Sequence, residues 1–177
     1  MYRIGQEEID AVTRVIQSRN LFKINGGNQE VFHFEEELKA QFGTSHAICM
    51  TSGKAALISA LIGMGIGPGD EVIVPAYTYI ATAIAVTAVG AIPVIAEVNE
   101  TLTLDPADVE KKISRYTKAI IPVHIQGFAT DMDKINAIAK VHGLFVLEDA
   151  CQADGVIYHG KRLGTIGDAG AYSFNYY

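Results

Sequence analysis

A turn of small and polar residues, TSGKAAL at positions 51–57, follows a short apolar run and opens a stretch with helical character. Small side chains let the backbone approach a ligand closely, and the first turn of a helix presents unpaired N–H groups to an anion. This pattern fits a phosphate site. An ordinary strand-to-helix turn has a similar composition, so the segment alone leaves both interpretations open.

Aromatic rings follow the next apolar run, because the segment AYTY at positions 76–79 comes directly after residues 71–75. An aromatic side chain at the end of a strand can stack on a flat heteroaromatic ligand. Plain packing is the commoner role of such rings, so stacking is a hypothesis at this point.

Two acidic residues, Glu148 and Asp149, end an apolar run that begins at Leu144. At least one of the two carboxylates should lie partly buried, and a buried carboxylate needs a paired cation or strong hydrogen-bond donors. Successive side chains of a strand point to opposite faces, so only one of the pair can face a ligand. A cap for a helix from Ala150 onward would use the same residue types.

The scaffold for these three segments is predicted from the alternation of short apolar runs with helical stretches. Strands are predicted at residues 47–50, 71–75, 92–98, 119–123, 144–148 and 170–174, and helices between them at 54–64, 79–89, 106–115 and 133–142. The runs are apolar on successive residues, which predicts strands buried on both faces. We therefore expect an α/β fold, with a mostly parallel sheet and helices on both of its faces.

The ligand site of such a sheet lies outside the carboxyl ends of its strands, where the turn, the rings and the acids all fall. Two further amphipathic helices are predicted before the first strand. One covers residues 6–18, and the other has Val31, Phe34 and Leu38 on one face and Gly43 as its stop. We expect both to pack outside one α/β domain.

The composition excludes several classes of protein. Apolar residues make up 49% and charged residues 19% of the 177 positions, which describes a globular chain with enough apolar side chains for a core. The net charge of −6, with no basic block, argues against nucleic acid or an anionic membrane surface as a partner.

Two features of the sequence bear on the compartment. Residues 72–96 contain no charged side chain, but two prolines and a glycine interrupt them, so they are predicted as strand, helix and strand, with no membrane span. Cys49 and Cys151 cannot build a disulfide framework, and no Arg/Lys-led apolar signal is present, which predicts a cytoplasmic protein. The histidines and cysteines lack metal-ligand spacing, so no metal site is predicted.

Six segments in order resemble the DegT/StrS-type sugar aminotransferases, which are pyridoxal-phosphate enzymes of fold type I. They are TSGKAAL at 51–57, GPGDEVIVP at 67–75, YTYIAT at 77–82, IPVH at 121–124, EDACQA at 148–153, and GTIGD at 164–168 leading to Ser173 and Phe174. The resemblance runs from the first helix to Tyr177. It implies that residues 1–177 are the N-terminal segment and part of the large coenzyme-binding domain, with the small C-terminal domain outside this sequence.

The resemblance implies three residues for the coenzyme phosphate. Backbone N–H groups of Gly53 and its successors would hold it, and Ser173 would add a hydroxyl. Lys54 stands where the family usually has threonine, so a side-chain hydroxyl contact is lost there. The backbone contact remains, and the lysine ammonium can reach the phosphate as a point charge.

Three more residues are implied for the coenzyme ring. Tyr79 would stack on the pyridine, and Gln152 would bond its phenolic oxygen. Asp149 would pair with the ring nitrogen and keep it protonated, which lets the ring act as an electron sink. Tyr79 and Asp149 also lie where the predicted strands end, at the edge of the sheet where ligands are expected.

The lysine that forms a Schiff base with the coenzyme in this family is expected directly after Tyr177. We expect that next residue to be a lysine that carries the coenzyme, although a fragment ending here would look the same. The resemblance then implies transfer of an amino group from glutamate or glutamine to a keto sugar, often nucleotide-linked, in a homodimer with a shared active site.

Two alternatives to the aminotransferase stay open. One is a sugar dehydratase of the same family, in which histidine replaces the Schiff-base lysine. The other is a non-catalytic relative that binds the coenzyme, or a partner protein, without turnover. The identity of the residue that follows Tyr177 would separate the three.

Overall fold

The computed structural model describes residues 4–23 and 30–175, which form two compact units. One unit contains the residues up to Cys49, with helices α1 (Gln6–Ser18) and α2 (Glu30–Phe42). The other unit is Met50–Asn175. The α/β fold predicted from the sequence lies within this second unit.

Five parallel strands form the sheet of the second unit. They are β1 (Glu71–Pro75), β2 (Ile92–Ala96), β3 (Thr117–Ile120), β4 (Phe145–Asp149) and β7 (Ala169–Ala171), in the spatial order β2-β1-β3-β4-β7. A separate antiparallel hairpin joins β5 (Ile157–Tyr158) to β6 (Lys161–Arg162). The helices of this unit are α3 (Gly53–Gly63), α4 (Ala81–Ala88), α5 (Pro106–Lys112) and α6 (Met132–His142), with a 3-10 turn at Ile125–Gly127.

Both faces of the sheet are covered by helices. Val72 and Val74 of β1 belong to one buried apolar cluster together with Leu57 of α3. Ile73, which lies between these two valines, belongs to a second cluster with Ile135 of α6. Adjacent side chains of a strand point to opposite faces, so the two clusters lie on opposite sides of the sheet. The predicted α/β class, with a parallel sheet between helical layers, is confirmed.

The predicted strand at residues 47–50 is wrong. The structure assigns no strand there, Ile48 is 65% exposed, and the Cys49 amide donates to Glu35 Oε1 at 2.7 Å. A short apolar run has only a weak intrinsic preference for strand and needs a neighbouring strand to pair with. The other predicted strands and helices are all present, with ends that differ by a few residues.

The uncharged stretch 72–96 forms most of β1, then α4 and β2, as predicted. It is therefore a buried strand, an edge strand of the same sheet and a short helix that packs on them. Within residues 4–23 and 30–175, no helix is long and apolar enough to cross a membrane.

Candidate active site

The candidate site lies at the carboxyl ends of β1, β4 and β7. These strands run parallel, so their carboxyl ends meet at one edge of the sheet. The chain leaves β1 into the segment that carries Tyr79, ends β4 at Asp149, and leaves β7 toward Ser173. The fold therefore brings residues from distant parts of the sequence to the edge where ligands of such sheets bind.

Helix α3 begins at Gly53, against the end of β7. A Cβ atom at this position would lie 2.7 Å from Cys151 Sγ and 3.1 Å from Ser173 Cβ, closer than such atoms normally pack. Only glycine therefore fits at the start of this helix. The contact also places Gly53 next to Ser173, and these are two of the residues predicted to hold one phosphate.

The first turn of α3 has the properties of an anion site. The Ser52 hydroxyl accepts a hydrogen bond from the Ala55 amide at 3.1 Å, and the Ser52 carbonyl accepts from the Ala56 amide. The amides of Gly53 and Lys54 lie at the start of the helix, where no carbonyl of the same helix can accept from them. They are therefore available to a ligand. The first turn contains no acidic residue, and the Lys54 side chain is exposed. These features fit a phosphate group.

Asp149 is a buried carboxylate whose hydrogen-bond donors, within the part of the chain that the structure describes, are uncharged. It is 6% exposed; its Oδ2 accepts from the Thr82 hydroxyl at 2.8 Å, and its Oδ1 accepts from the Cys151 amide at 3.2 Å. Among the residues that the structure describes, no Lys, Arg or His forms an ion pair with it. A buried charge without a counter-charge is costly, so Asp149 fits a ligand that brings a cationic nitrogen.

Glu148 has entirely different partners. Its side chain is fully buried, and its two oxygens accept four hydrogen bonds of 2.6–3.0 Å. The donors are His124 Nε2 and the backbone amides of Gly164, Ile166 and Gly167. These protein donors occupy both oxygens, so Glu148 is a structural carboxylate, on the face of β4 away from Asp149.

The protonation of the Glu148–His124 pair follows from its hydrogen bonds. His124 Nδ1 accepts from the Thr130 amide at 3.2 Å, so the ring proton is on Nε2 and points to Glu148. Burial by itself would raise the pKa of Glu148. The hydrogen bonds from His124, Gly167 and Gly164 outweigh burial and hold the Glu148 pKa below its usual range.

The orientation of the Gln152 amide is fixed by a backbone donor. Its Oε1 accepts from the Gln126 amide at 2.9 Å, so the side-chain NH₂ group is left to donate to a ligand oxygen. Gln126 itself has a positive φ of 49°, an unfavourable conformation for a residue with a Cβ. Backbone strain of this kind is common near functional sites.

The Tyr79 side chain is 65% exposed, so the ring is not part of the core. Its carbonyl accepts from the Thr82 amide at 3.1 Å, which fixes the backbone at the start of α4. The exposed ring fits the stacking interpretation better than the packing interpretation.

Three residues next to the site were not singled out from the sequence, namely Thr82, Gln126 and Cys151. Thr82 is one of two hydroxyl residues in a helix otherwise made of alanine, isoleucine and valine, which is a weak signal shared with Thr87. Cys151 lines the start of α3, and burial raises the pKa of its thiol, which keeps it protonated and unreactive. Gln126 contributes its backbone amide, which donates to Gln152, so its side chain gave no indication of this role in the sequence.

Comparison with known proteins gives an independent assignment. The profile of the DegT/DnrJ/EryC1/StrS aminotransferase family matches residues 2–177. The dTDP-3-amino-3,4,6-trideoxy-alpha-D-glucose transaminase of Streptomyces venezuelae is 47% identical over 165 residues, which are 93% of this chain and 42% of that protein. The chain therefore spans less than half the length of this curated relative.

Solved structures agree with the sequence comparison. An aminotransferase from Psychrobacter cryohalolentis superposes with a TM-score of 0.91 at 41% identity, covering 97% of this chain and 43% of its own. NtdA from Bacillus subtilis, solved with bound cofactor PMP, has a TM-score of 0.77 at 34% identity, covering 91% of this chain and 37% of its own. The chain belongs to the DegT/DnrJ/EryC1/StrS aminotransferase family.

Proposed function

We propose that the protein uses pyridoxal 5′-phosphate to move an amino group from an amino-acid donor to a keto sugar. The observation that carries the proposal is the buried Asp149 carboxylate, which has neutral donors and, within residues 4–23 and 30–175, no paired cation, at the same sheet edge as Gly53 and Ser173. The transaminase name of the Streptomyces relative supports the reaction and the sugar substrate, and the PMP bound to NtdA supports the coenzyme.

The residues divide the work of binding. The Gly53 and Lys54 amides and the Ser173 hydroxyl hold the phosphate, and Tyr79 covers the ring by stacking. Gln152 donates its NH₂ group to the phenolic oxygen, and Asp149 keeps the ring nitrogen protonated. When bound, the coenzyme supplies the electron sink for bond changes at the substrate carbon.

The finer features of the proposal are a nucleotide-linked sugar, glutamate or glutamine as the donor, and a cytoplasmic homodimer that shares its active sites. Exposed apolar residues beside the site support a second copy as its cover, since a cluster of such residues is unfavourable in water. They are Tyr77, Tyr79, Ile80 and Phe174. The name of the relative also supports the aminotransferase over the sugar dehydratase and the non-catalytic alternative.

The intact protein is expected to turn yellow when pyridoxal phosphate is added, and borohydride is expected to attach the coenzyme covalently to the chain. The physical reason is the pairing of a phosphate cradle with a buried carboxylate, together with the lysine expected after Tyr177. Absorption spectra and intact mass before and after borohydride provide the measurement. A protein that stays colourless contradicts the proposal, whereas bound coenzyme that borohydride cannot attach supports the dehydratase.

Replacing Lys54 by threonine is expected to change the dissociation constant for pyridoxal phosphate by no more than about tenfold, or about 1.4 kcal/mol. The amides at the start of α3 provide the phosphate contact, and they do not depend on the exposed side chain. Fluorescence titration of the coenzyme gives the constant. Lys112→Thr, at the exposed end of α5, is the matched control. A loss far beyond tenfold in Lys54→Thr alone would identify the ammonium as a principal phosphate ligand.

A further inference from the structure

The hydroxyl of Thr82 is buried beside the carboxylate of Asp149. Thr82 is 0% exposed, and its Oγ1 lies 2.8 Å from Asp149 Oδ2 although the two residues are 67 positions apart in sequence. Burying a hydroxyl costs free energy unless it forms a hydrogen bond. The contact with Asp149 therefore accounts for a polar residue at this place in α4.

The direction of this hydrogen bond follows from the proton count. The Thr82 hydroxyl has one proton and three acceptors within reach, Asp149 Oδ2 at 2.8 Å, the Thr78 hydroxyl at 2.8 Å and the Tyr79 carbonyl at 3.2 Å. A carboxylate oxygen is the strongest acceptor of the three, so it takes the proton. The Thr78 hydroxyl lies 2.8 Å from Thr82 Oγ1 and can donate to it in turn. Two hydroxyls in series then donate toward one carboxylate, and each strengthens the other.

This arrangement has a geometric consequence for Asp149. Thr82 binds Oδ2 and the Cys151 amide binds Oδ1, so both oxygens are held and the carboxylate cannot rotate freely. Thr82 lies at the start of α4, immediately after the segment that carries Tyr79. One short segment therefore carries the stacking ring and holds the acid that faces the ring nitrogen.

The arrangement also has an electrostatic consequence. A hydroxyl that donates to a carboxylate stabilises its negative charge and makes it a weaker base. A proton shared between that carboxylate and a ring nitrogen then resides on the nitrogen. Without the donor, the carboxylate attracts the shared proton more strongly, and the ring nitrogen holds less of it.

We propose that Thr82 is a positioning residue for Asp149, which fixes the carboxylate and keeps the shared proton on the ring nitrogen of the coenzyme. The inference rests on the proposed function, because it needs pyridoxal phosphate as the ligand of Asp149. It adds a residue of helix α4 to the control of the ring's protonation by Asp149 of strand β4.

The test uses the intact protein loaded with pyridoxal phosphate that carries nitrogen-15 in its ring. The nitrogen resonance reports whether the ring is protonated, which a merely structural role of Thr82 would leave unchanged. Thr82→Val is expected to move the resonance toward that of the neutral ring and to raise the dissociation constant for the coenzyme by about tenfold. Thr82→Ser keeps the hydroxyl and is expected to restore both. Thr87→Val, which removes an exposed hydroxyl from the same helix, is expected to match the unmodified protein.

A resonance unchanged in Thr82→Val would overturn the inference. If the valine variant does not fold, Thr82→Ala gives the same measurement with a smaller side chain that favours helix. Failure of the proposed function gives a different result: the unmodified protein would not bind the coenzyme, or Asp149→Asn would leave the resonance unchanged. The two failures are therefore distinguished in one set of spectra.

Discussion

Replacing Asp149 by asparagine is expected to slow amino-group transfer at least about a hundredfold, which corresponds to about 2.7 kcal/mol of activation barrier. Asparagine keeps the size of the side chain but removes the negative charge that, in the proposed function, holds a proton on the ring nitrogen. The ring nitrogen can then lose that proton, and the electron sink is weakened. Part of the effect falls on the rate and not on binding, because a neutral ring can still occupy the site.

The half-reaction with the amino donor, followed by the change in coenzyme absorption, measures this rate directly. Glu148→Gln, assayed at a temperature where it is folded, is expected to lose much less, because Glu148 faces protein donors and not the ligand. Asp133→Asn is a matched change on the exposed surface of α6. An Asp149→Asn variant with a near-normal rate, beside an inactive Glu148→Gln, would reverse the assignment of the two acids.

Stability gives a second way to separate these acids. Asp149 has no ion-pair partner among the residues that the structure describes, so neutralising it removes a buried charge that folding must pay to desolvate. We expect Asp149→Asn without coenzyme to melt at the same temperature as the unmodified protein or above it. At this position, activity is therefore expected to fall while stability does not.

Much of the fold could be predicted because its signals are local. Strand β1 and helix α1 have the bounds predicted from the sequence, since each is a regular apolar pattern with clear ends. The run at residues 47–50 shows the limit of such patterns. Four apolar residues are compatible with a strand, but pairing with a neighbour decides whether one forms, and the Cys49 amide is bonded to Glu35 instead.

The site was predictable where a residue's role depends on its own strand, and was not where it depends on a distant contact. The opposite facing of Glu148 and Asp149 follows from the alternation along β4. The need for glycine at position 53 comes from Cys151, almost a hundred positions later. The motif could therefore be recognised in the sequence, but the steric reason for its glycine could not. The bond between Thr82 and Asp149 joins α4 to β4, and no local pattern indicates which hydroxyl a carboxylate will meet.

Glu148→Gln is expected to lower the free energy of unfolding by about 2–6 kcal/mol, because two of the four donors lose their acceptor and each buried donor left unpaired costs about 1–3 kcal/mol. Glutamine has nearly the same shape, but its NH₂ group would face N–H groups that now donate hydrogen bonds to the carboxylate. These donors hold the loop that leads into β7, so its register against β4 depends on them. Urea unfolding of the intact protein measures the loss, with Glu110→Gln on the exposed face of α5 as the control.

The loss in Glu148→Gln should depend on pH in a defined direction. The hydrogen bonds from His124, Gly167 and Gly164 outweigh burial and hold the pKa of Glu148 below its ordinary value of 4.5 in the folded protein. As the pH falls below 4.5, the unfolded chain binds a proton first, so the stability contributed by the carboxylate declines and is gone below the folded pKa. The two proteins should therefore differ most at neutral pH and converge in acid. A difference that stays constant from pH 7 down to about pH 3 would show that the ionised state of Glu148 contributes nothing, and that the loss comes from packing alone.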